Sequence, residues 1–145
     1  MALRVGLDCK LFRNTGTYGT PVWNEVTLVV DASLDLSKGK SEVKYRGLRW
    51  KQSVPTMKEA PVTFNMLADP AVDDYNALRD AFLNDTVVDF AMADGAIATT
   101  GTQYFRADFH IYGFKRGEPL ENHATVDVEA DLAYSSNPPG FTTVP

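Results

Sequence analysis

Apolar and polar residues alternate along most of this chain, a pattern typical of β-strands that bury one face in a sheet. The alternation is longest near the end. Odd positions are mostly apolar in residues 103–115, and even positions are mostly apolar in residues 122–134. Gly117-Glu118-Pro119 between them is typical of a turn, so we expect a final β-hairpin. The same pattern predicts shorter strands at residues 4–12, 26–31, 60–66 and 88–92.

A single stretch, residues 69–84 (DPAVDDYNALRDAFLN), has helical periodicity instead. Asp69 can cap the first free amides, and Pro70 suits the first helical position, where an N–H has no partner. An apolar stripe follows at helical spacing, which predicts one α-helix over about 70–84 packed on a sheet. The stripe comprises Ala71, Tyr75, Leu78 and Phe82, of which the last three are expected to make the main contacts. The predicted fold is therefore mainly β, a β-sandwich or part-barrel with one flanking helix.

Residues 31–58 interrupt the strand pattern as a long polar excursion, with a break at Arg46-Gly47. Long excursions in compact domains are usually functional or disordered. We interpret this one as a hairpin arm with few core contacts, either simply solvated or docked on a partner. It holds half of the 14 basic residues of the chain. The candidate contact residues of the arm are Lys38, Lys40, Lys44, Arg46, Arg49, Trp50 and Lys51.

The remaining segments carry weaker signals. Cys9 lies at an apolar position of the strand predicted over 4–12, beside Val5, Leu7 and Leu11, so we expect an inert buried thiol. Residues 135–145 form a proline-rich tail without a core pattern, which a neighbouring chain could hold. The chain of 145 residues is expected to form one domain, 1–145.

Charge and composition exclude several classes of function. The net charge is −5 with no basic cluster, so the chain lacks the usual surface for binding nucleic acid. A single cysteine rules out an internal disulfide and a cysteine-based metal cluster. No apolar run predicts a secretion signal or a membrane span.

No motif predicts catalysis. His110 and His123 are the only histidines, and neither belongs to a metal-ligand spacing. The chain has no nucleophile elbow and no glycine-rich phosphate loop. We therefore expect no catalytic residue, no metal, no cofactor and no enzymatic activity.

Three carboxylates, Asp127, Glu129 and Asp131, share one face of the last strand beside Thr125. Like charges at this spacing repel, so the face must stay hydrated. Two interpretations remain open: an ordinary solvated strand face, or a surface that repels a polyanion.

Several stretches together resemble the tail tube proteins of long-tailed bacteriophages. They are the Gly-Thr stretch before Trp23, the basic arm at Arg46-Gly47, and the strand EAPVTFNMLADP leading into a helix that ends in AFLND. The resemblance spans roughly residues 3–134 and extends to the tubes of type VI secretion and contractile injection machines.

The resemblance implies a structural subunit that forms hexameric rings, which stack into a hollow tail tube through which DNA passes without specific binding. It implies partners such as tape measure, terminator and baseplate or tail-tip proteins, and a virion tail assembled in the host bacterial cytoplasm. Within it, the arm would reach the next ring. The lumen-lining candidates are Thr125, Asp127, Glu129 and Asp131, with Arg106 and Asp108 on the preceding strand and Arg4, Asp8 and Lys10 as a rival face.

One alternative belongs to a different class. A β-sandwich binding module, recognising a receptor or a carbohydrate, would use Trp23 and Trp50 with nearby tyrosines as an exposed stacking patch.

Overall fold

The structure, a computed structural model, describes residue 3 and residues 5–145, with the backbone alone at Asp8. The sequence prediction of a mainly β fold with one helix is confirmed for this part of the chain. The α-helix, α1, spans Asp73–Asn84. The strands are β1 (Lys10–Asn14), β2 (Trp23–Glu25), β3 (Val29–Leu34), β4 (Ser37–Val43), β5 (Gln52–Glu59), β6 (Val62–Leu67), β7 (Val88–Ala93), β8 (Gln103–Gly117), β9 (Thr125–Leu132) and β10 (Gly140–Thr143).

Strand β8 is the central strand of an eight-stranded antiparallel sheet. Seven of the strands follow the order β2-β1-β7-β8-β9-β6-β3, and the eighth, β10, pairs with β8. Its first half pairs with β7 on one edge and with β10 on the other. Its second half pairs with β9, after a register shift between Ile111 and Gly113. Strands β9 and β10 therefore follow one another along the same edge of β8, and the predicted final hairpin, β8–β9, is followed by one further strand.

The sheet curls over its own core. Strands β8 and β9 lie between Phe64 on β6 and Phe90 on β7, and yet the two ring centroids are 5.8 Å apart. Phe109 of β8 joins the same core, 5.9 Å from Phe90. The edge strands β2 and β3 stay unjoined, so the sheet is a part-barrel and not a closed one. We call the side that holds this core the core face, and the opposite side the outer face.

Helix α1 covers the core face beside β8. Leu78 is fully buried and Tyr75 is 4% exposed. Phe82 is 37% exposed and stacks on Phe114 of β8, with 6.4 Å between ring centroids. All three predicted packing residues therefore face the sheet. This is the longest helix in the described residues, and none there is long and apolar enough to cross a membrane.

The start of α1 differs from the prediction of residue 70. Asp69 accepts hydrogen bonds from the N–H groups of Ala71 (to Oδ1, 3.0 Å) and Val72 (to its carbonyl, 3.1 Å). Because these bonds close a turn ahead of the helix, the capping signal belongs to that turn, and the helix begins at Asp73. Ala71 is exposed and takes no part in the packing stripe.

The strand predicted over residues 4–12 is wrong in its first half. A 3₁₀ turn occupies Gly6–Asp8, and Cys9 is exposed instead of buried. Strand β1 begins at Lys10, and its consecutive residues Leu11 and Phe12 are both buried, one on each face of the sheet. Alternation placed Leu11 correctly in the core, but Cys9 precedes the strand and Phe12 is buried on the opposite face. Arg4 lies outside the described residues, as does the side chain of Asp8.

The arm and the tail also differ from prediction. Residues 31–34 belong to β3 in the main sheet, so the arm is the separate two-stranded hairpin β4–β5 (residues 37–59). Every residue of both strands is exposed. The tail is not structureless, because β10 pairs with β8 of the same chain.

Candidate assembly surfaces

The acidic stripe of β9 lies on the outer face. Asp127, Glu129 and Asp131 are exposed, and they alternate with the buried Val126, Val128 and Ala130. Strand β6 lies beside β9 and β3 beside β6, so Thr63 and Asn65, then Asp31 and Ser33, continue the same hydrated surface. All of these polar residues except Asp131 line a shallow depression of about 420 Å³. We call this surface the acidic face.

Asp31 and Ser33 were missed as members of this face, because the polar run from residue 31 predicted an arm. The usable signal was Val29, Ala32 and Leu34, which pack against the core or pair with β6.

Gly113 of β8 lies opposite Glu129. A Cβ atom at this position would lie 3.1 Å from both Cβ and Oε2 of Glu129. Because Gly113 has no side chain, the Glu129 side chain has space to lie across β8. Lys115 lies opposite Asp127 and is the basic neighbour of the stripe on this strand.

Arg106 and Asp108 lie on the outer face but are engaged within the chain. Arg106 donates to Asp89 through Nη2 (2.7 Å) and Nε (3.0 Å), and both side chains are mostly buried. The guanidinium also packs over the rings of Tyr18 (3.8 Å to the centroid) and Trp23 (4.9 Å). Burial opposes its charge, but the hydrogen bond and attraction to Asp89 outweigh burial and raise the pKa of Arg106. Arg106 thus ties the loop at residues 15–22 to the sheet.

Asp108 performs a similar task for the tail. It is 8% exposed, and its Oδ2 accepts hydrogen bonds from Ser135 Oγ (2.6 Å) and Asn137 Nδ2 (3.0 Å). These bonds hold the segment that leads from β9 into β10. Neither Arg106 nor Asp108 carries an exposed, unengaged charge. Of the other predicted lumen-lining residues, Asp127, Glu129 and Asp131 are exposed and Thr125 is half-buried.

The arm is the second exposed surface, and it is basic and apolar at its tip. Trp50 is 81% exposed and Tyr45 is 64% exposed. Glu42 accepts ion pairs from Lys51 (2.9 Å) and Lys44 (3.1 Å), which close the hairpin below its turn. These hydrogen bonds, chiefly that from Lys51, lower the pKa of Glu42. The predicted arm residues all lie in the exposed hairpin or its turn: Lys38, Lys40, Lys44, Arg46, Arg49, Trp50 and Lys51.

The two tryptophans do not form one stacking patch. Trp23 is half-buried on β2, where its ring meets Tyr104 edge-on at 6.3 Å and Arg106 covers it. Trp50 lies in the turn between β4 and β5, which form a sheet separate from that of β2. The binding-module alternative therefore loses the feature on which it was based.

Comparison with known proteins gives the fold. By sequence, the chain matches no family model and no curated protein. By structure, it matches a chain from the tail of an empty gene transfer agent particle, determined with C6 symmetry, at a TM-score of 0.76 and 12% identity over 97% of this chain and 100% of that one. It matches the SPP1 tail tube at 0.72 and 11% identity over 90% and 76%.

A third match comes from the PVC sheath–tube complex of an extracellular contractile injection system, at a TM-score of 0.64 and 10% identity over 94% of this chain and 88% of that one. At these identities, the matches establish that the chain has the fold found in these tail and tube structures.

Proposed function

We propose that the chain is a structural subunit that assembles into hexameric rings, which stack into the hollow tail tube of a virion. The observation that carries the proposal is the fold match to a C6-symmetric tail over 97% of this chain and 100% of that one. The TM-score is higher for that tail, 0.76, than for the injection-system tube complex, 0.64, which favours a virion tail over an injection machine.

The open edges of the sheet support assembly into a ring. The edge strands β2 and β3 have unpaired backbone groups along one side, and exposed edges invite pairing with another chain. Pairing between neighbouring subunits would join the curled sheets into one continuous barrel around a channel. Closed cyclic symmetry is the usual way in which such a contact terminates.

The acidic face supports a channel for DNA. If β9, β6 and β3 line the lumen, Asp31, Asp127, Glu129 and Asp131 present carboxylates to a passing phosphate backbone. Repulsion of like charges keeps DNA from binding the wall while it moves. In this arrangement, the basic arm points to the neighbouring ring and meets acidic surfaces there.

The proposal carries the remaining expectations with it. The subunit acts without catalysis or cofactor. It joins tape measure, terminator and baseplate or tail-tip proteins in a tail that is assembled in the host bacterial cytoplasm.

Electron microscopy of the purified protein at high concentration, with analytical sedimentation of the same sample, tests the proposal. Rings or tubes with six-fold class averages and an open channel are expected. A stable trimer or a closed dimer without a channel would overturn the tube assignment and return attention to a binding function.

A further inference from the structure

An apolar groove lies at the base of the arm, where β4 and β5 pass the ends of β9 and β10. Its volume is about 450 Å³. Leu36 and Phe141 line it and are 53% and 58% exposed, and the ring of Phe105 lies beneath Phe141 with 5.1 Å between centroids. A groove with this much uncovered apolar side chain is suited to receive another apolar side chain. We call it the arm-base groove.

The rim of the groove is basic. Lys38 and Lys58 face each other across the β4–β5 ladder, and both line the groove. Two like charges directly opposite each other on a hairpin are unfavourable unless an opposite charge lies nearby. Glu59 also lines the groove, which leaves an excess of positive charge at the rim.

The loop between β8 and β9 has the complementary character. Leu120 is 100% exposed at its tip. Glu118 and Glu121 flank this leucine on either side. Arg116 Nε donates to Glu118 at 2.7 Å, whereas Glu121 forms no ion pair within the described part of the chain. The loop thus presents one apolar side chain between two carboxylates.

The groove and the loop lie at opposite ends of the molecule. Strand β9 begins next to the loop at Thr125 and ends at Leu132, which lines the groove. Seven residue steps along a strand span about 24 Å. The loop therefore cannot reach the groove of its own chain, but it can reach the groove of a second copy placed end to end. A head-to-tail contact closes into a ring if the rotation between copies closes, and otherwise repeats as an open column.

We propose that Leu120 of one copy inserts into the arm-base groove of the next, with Glu121 and Glu118 beside Lys38 and Lys58, and that this contact stacks one ring on the next. The inference rests on the proposed tube function and names its axial contact. It gives the arm a specific role: the base of the arm receives the neighbouring subunit, and the tip is not required for this contact.

Charge reversal tests the contact. The variants Lys38→Glu/Lys58→Glu and Glu118→Lys/Glu121→Lys are each expected to lower the sedimentable polymer at least tenfold. An equimolar mixture of the two variants is expected to restore it, because each altered groove then meets a loop of opposite charge. Arg79→Glu, an exposed reversal on α1, is the control and should leave the polymer unchanged. Thermal unfolding of each variant establishes that it is folded.

A second pair of variants, one test and one control, examines the apolar part of the contact. Leu120→Ser should reduce the polymer as strongly as charge reversal, whereas Leu83→Ser, on a residue that is 66% exposed on α1, should not. If wild-type protein forms tubes and both reversed variants form them equally well, the stacking contact is wrong while the tube proposal stands. If wild-type protein forms a stable trimer or a closed dimer instead, the tube proposal fails, and cross-linking then decides the contact.

Cross-linking uses a Cys9→Ser background with Leu36→Cys and Leu120→Cys in the same chain. Oxidation at high protein concentration should yield a ladder of covalent oligomers that continues beyond six subunits. The absence of intermolecular disulfides, or a ladder that stops at six, would overturn the axial assignment. Leu83→Cys in place of Leu120→Cys controls for random collision and should give no ladder.

Discussion

Asp108 illustrates how single residues on the outer face acquire tasks that alternation does not indicate. Its position in β8 assigns it to the polar side, and yet only 8% of it is exposed. The carboxylate is engaged within the chain, because Ser135 and Asn137 both donate hydrogen bonds to it. The Asp108 side chain therefore holds the tail against β8.

Replacing Asp108 by alanine should therefore loosen β10. A hydrogen bond to a charged group contributes about 2 kcal/mol, so amide exchange in residues 140–143 should accelerate roughly 30-fold. Hydrogen exchange measured by NMR checks this result. Asp131→Ala, an exposed change on the neighbouring strand, should leave exchange in β10 unaltered. Equal protection of β10 in Asp108→Ala would show that its backbone pairing holds the tail unaided.

Glu42 offers a second test at the scale of single residues. Ion pairing with Lys51 and Lys44 lowers its pKa below the usual 4.5. Because the folded pKa is the lower one, the contact is complete above pH 4.5 and is lost as the pH falls through the lowered pKa. A ¹³C titration of the carboxyl should show Lys51→Ala raising the midpoint more than Lys44→Ala. Lys115→Ala, on another strand, should leave the midpoint of Glu42 in place.

At the scale of the elements, the helix and the arm contrast most. Helix α1 is held by apolar burial against β8, through Tyr75 and Leu78. The arm is a hairpin whose strands are exposed throughout, so ladder hydrogen bonds and ion pairs hold it instead of a core. A two-stranded hairpin alone is marginally stable in water. The arm is therefore the element with most to gain from contact with another subunit.

Leu78→Ala measures the contribution of the helix. Removing a fully buried leucine side chain should lower the free energy of unfolding by about 3 kcal/mol. Leu83→Ala, on the same helix and 66% exposed, should change it by less than about 0.5 kcal/mol. Urea denaturation of both variants gives the comparison. A similar loss for the two leucines would contradict the packing of α1 on β8.

Shortening the arm separates its tip from its base. Val43 and Gln52 are paired across the hairpin, so residues 44–51 can be replaced by a two-residue Asn-Gly turn. The melting temperature should change little, because this tip makes no core contact. If stacking uses the arm-base groove alone, tubes should persist with this variant. Loss of tubes with an intact fold would instead assign a contact to Trp50, Tyr45 and the basic residues of the tip.

The elements also show which parts of the fold were predictable. The strands 103–115 and 122–134 and the helix face followed from periodicity, because the apolar residues of each lie mainly on one side. The first strand did not, because Leu11 and Phe12 enter different cores on opposite faces. Strand β10 has a single large apolar residue, Phe141, and depends on Asp108, which is distant in sequence. Contacts of this kind leave no local pattern.

At the scale of the whole molecule, charge is segregated. Half of the lysines and arginines lie in the arm, and four carboxylates, Asp31, Asp127, Glu129 and Asp131, share the acidic face, while the net charge remains only −5. The stripe on β9 could be predicted from the sequence. Its extension to Asp31, and the contacts of Arg106 with Asp89 and of Asp108 with Ser135, could be seen only once the order of the strands was known. Segregation of this kind allows one surface to attract a copy of the chain while another repels a polyanion.

The location of the acidic face in an assembled tube can be tested by reversing its charge. The variant Asp127→Lys/Glu129→Lys/Asp131→Lys changes three exposed side chains, so the fold and the tubes should persist. A wall of lysines should bind duplex DNA, and this binding should weaken steeply as the salt concentration rises, because bound DNA releases counterions. If these residues line the lumen, cryo-electron microscopy should show the added density inside the channel.

A control variant shows whether DNA density inside the channel depends on where the lysines are placed. Asp73→Lys/Asp80→Lys/Asp85→Lys reverses three exposed carboxylates on or beside α1, across the core from the acidic face. Since helix α1 and β9 present their exposed side chains in opposite directions, tubes of this variant should bind DNA outside and keep an empty channel. DNA density outside the tubes of the β9 variant would reverse the orientation of the subunit and place α1 toward the lumen.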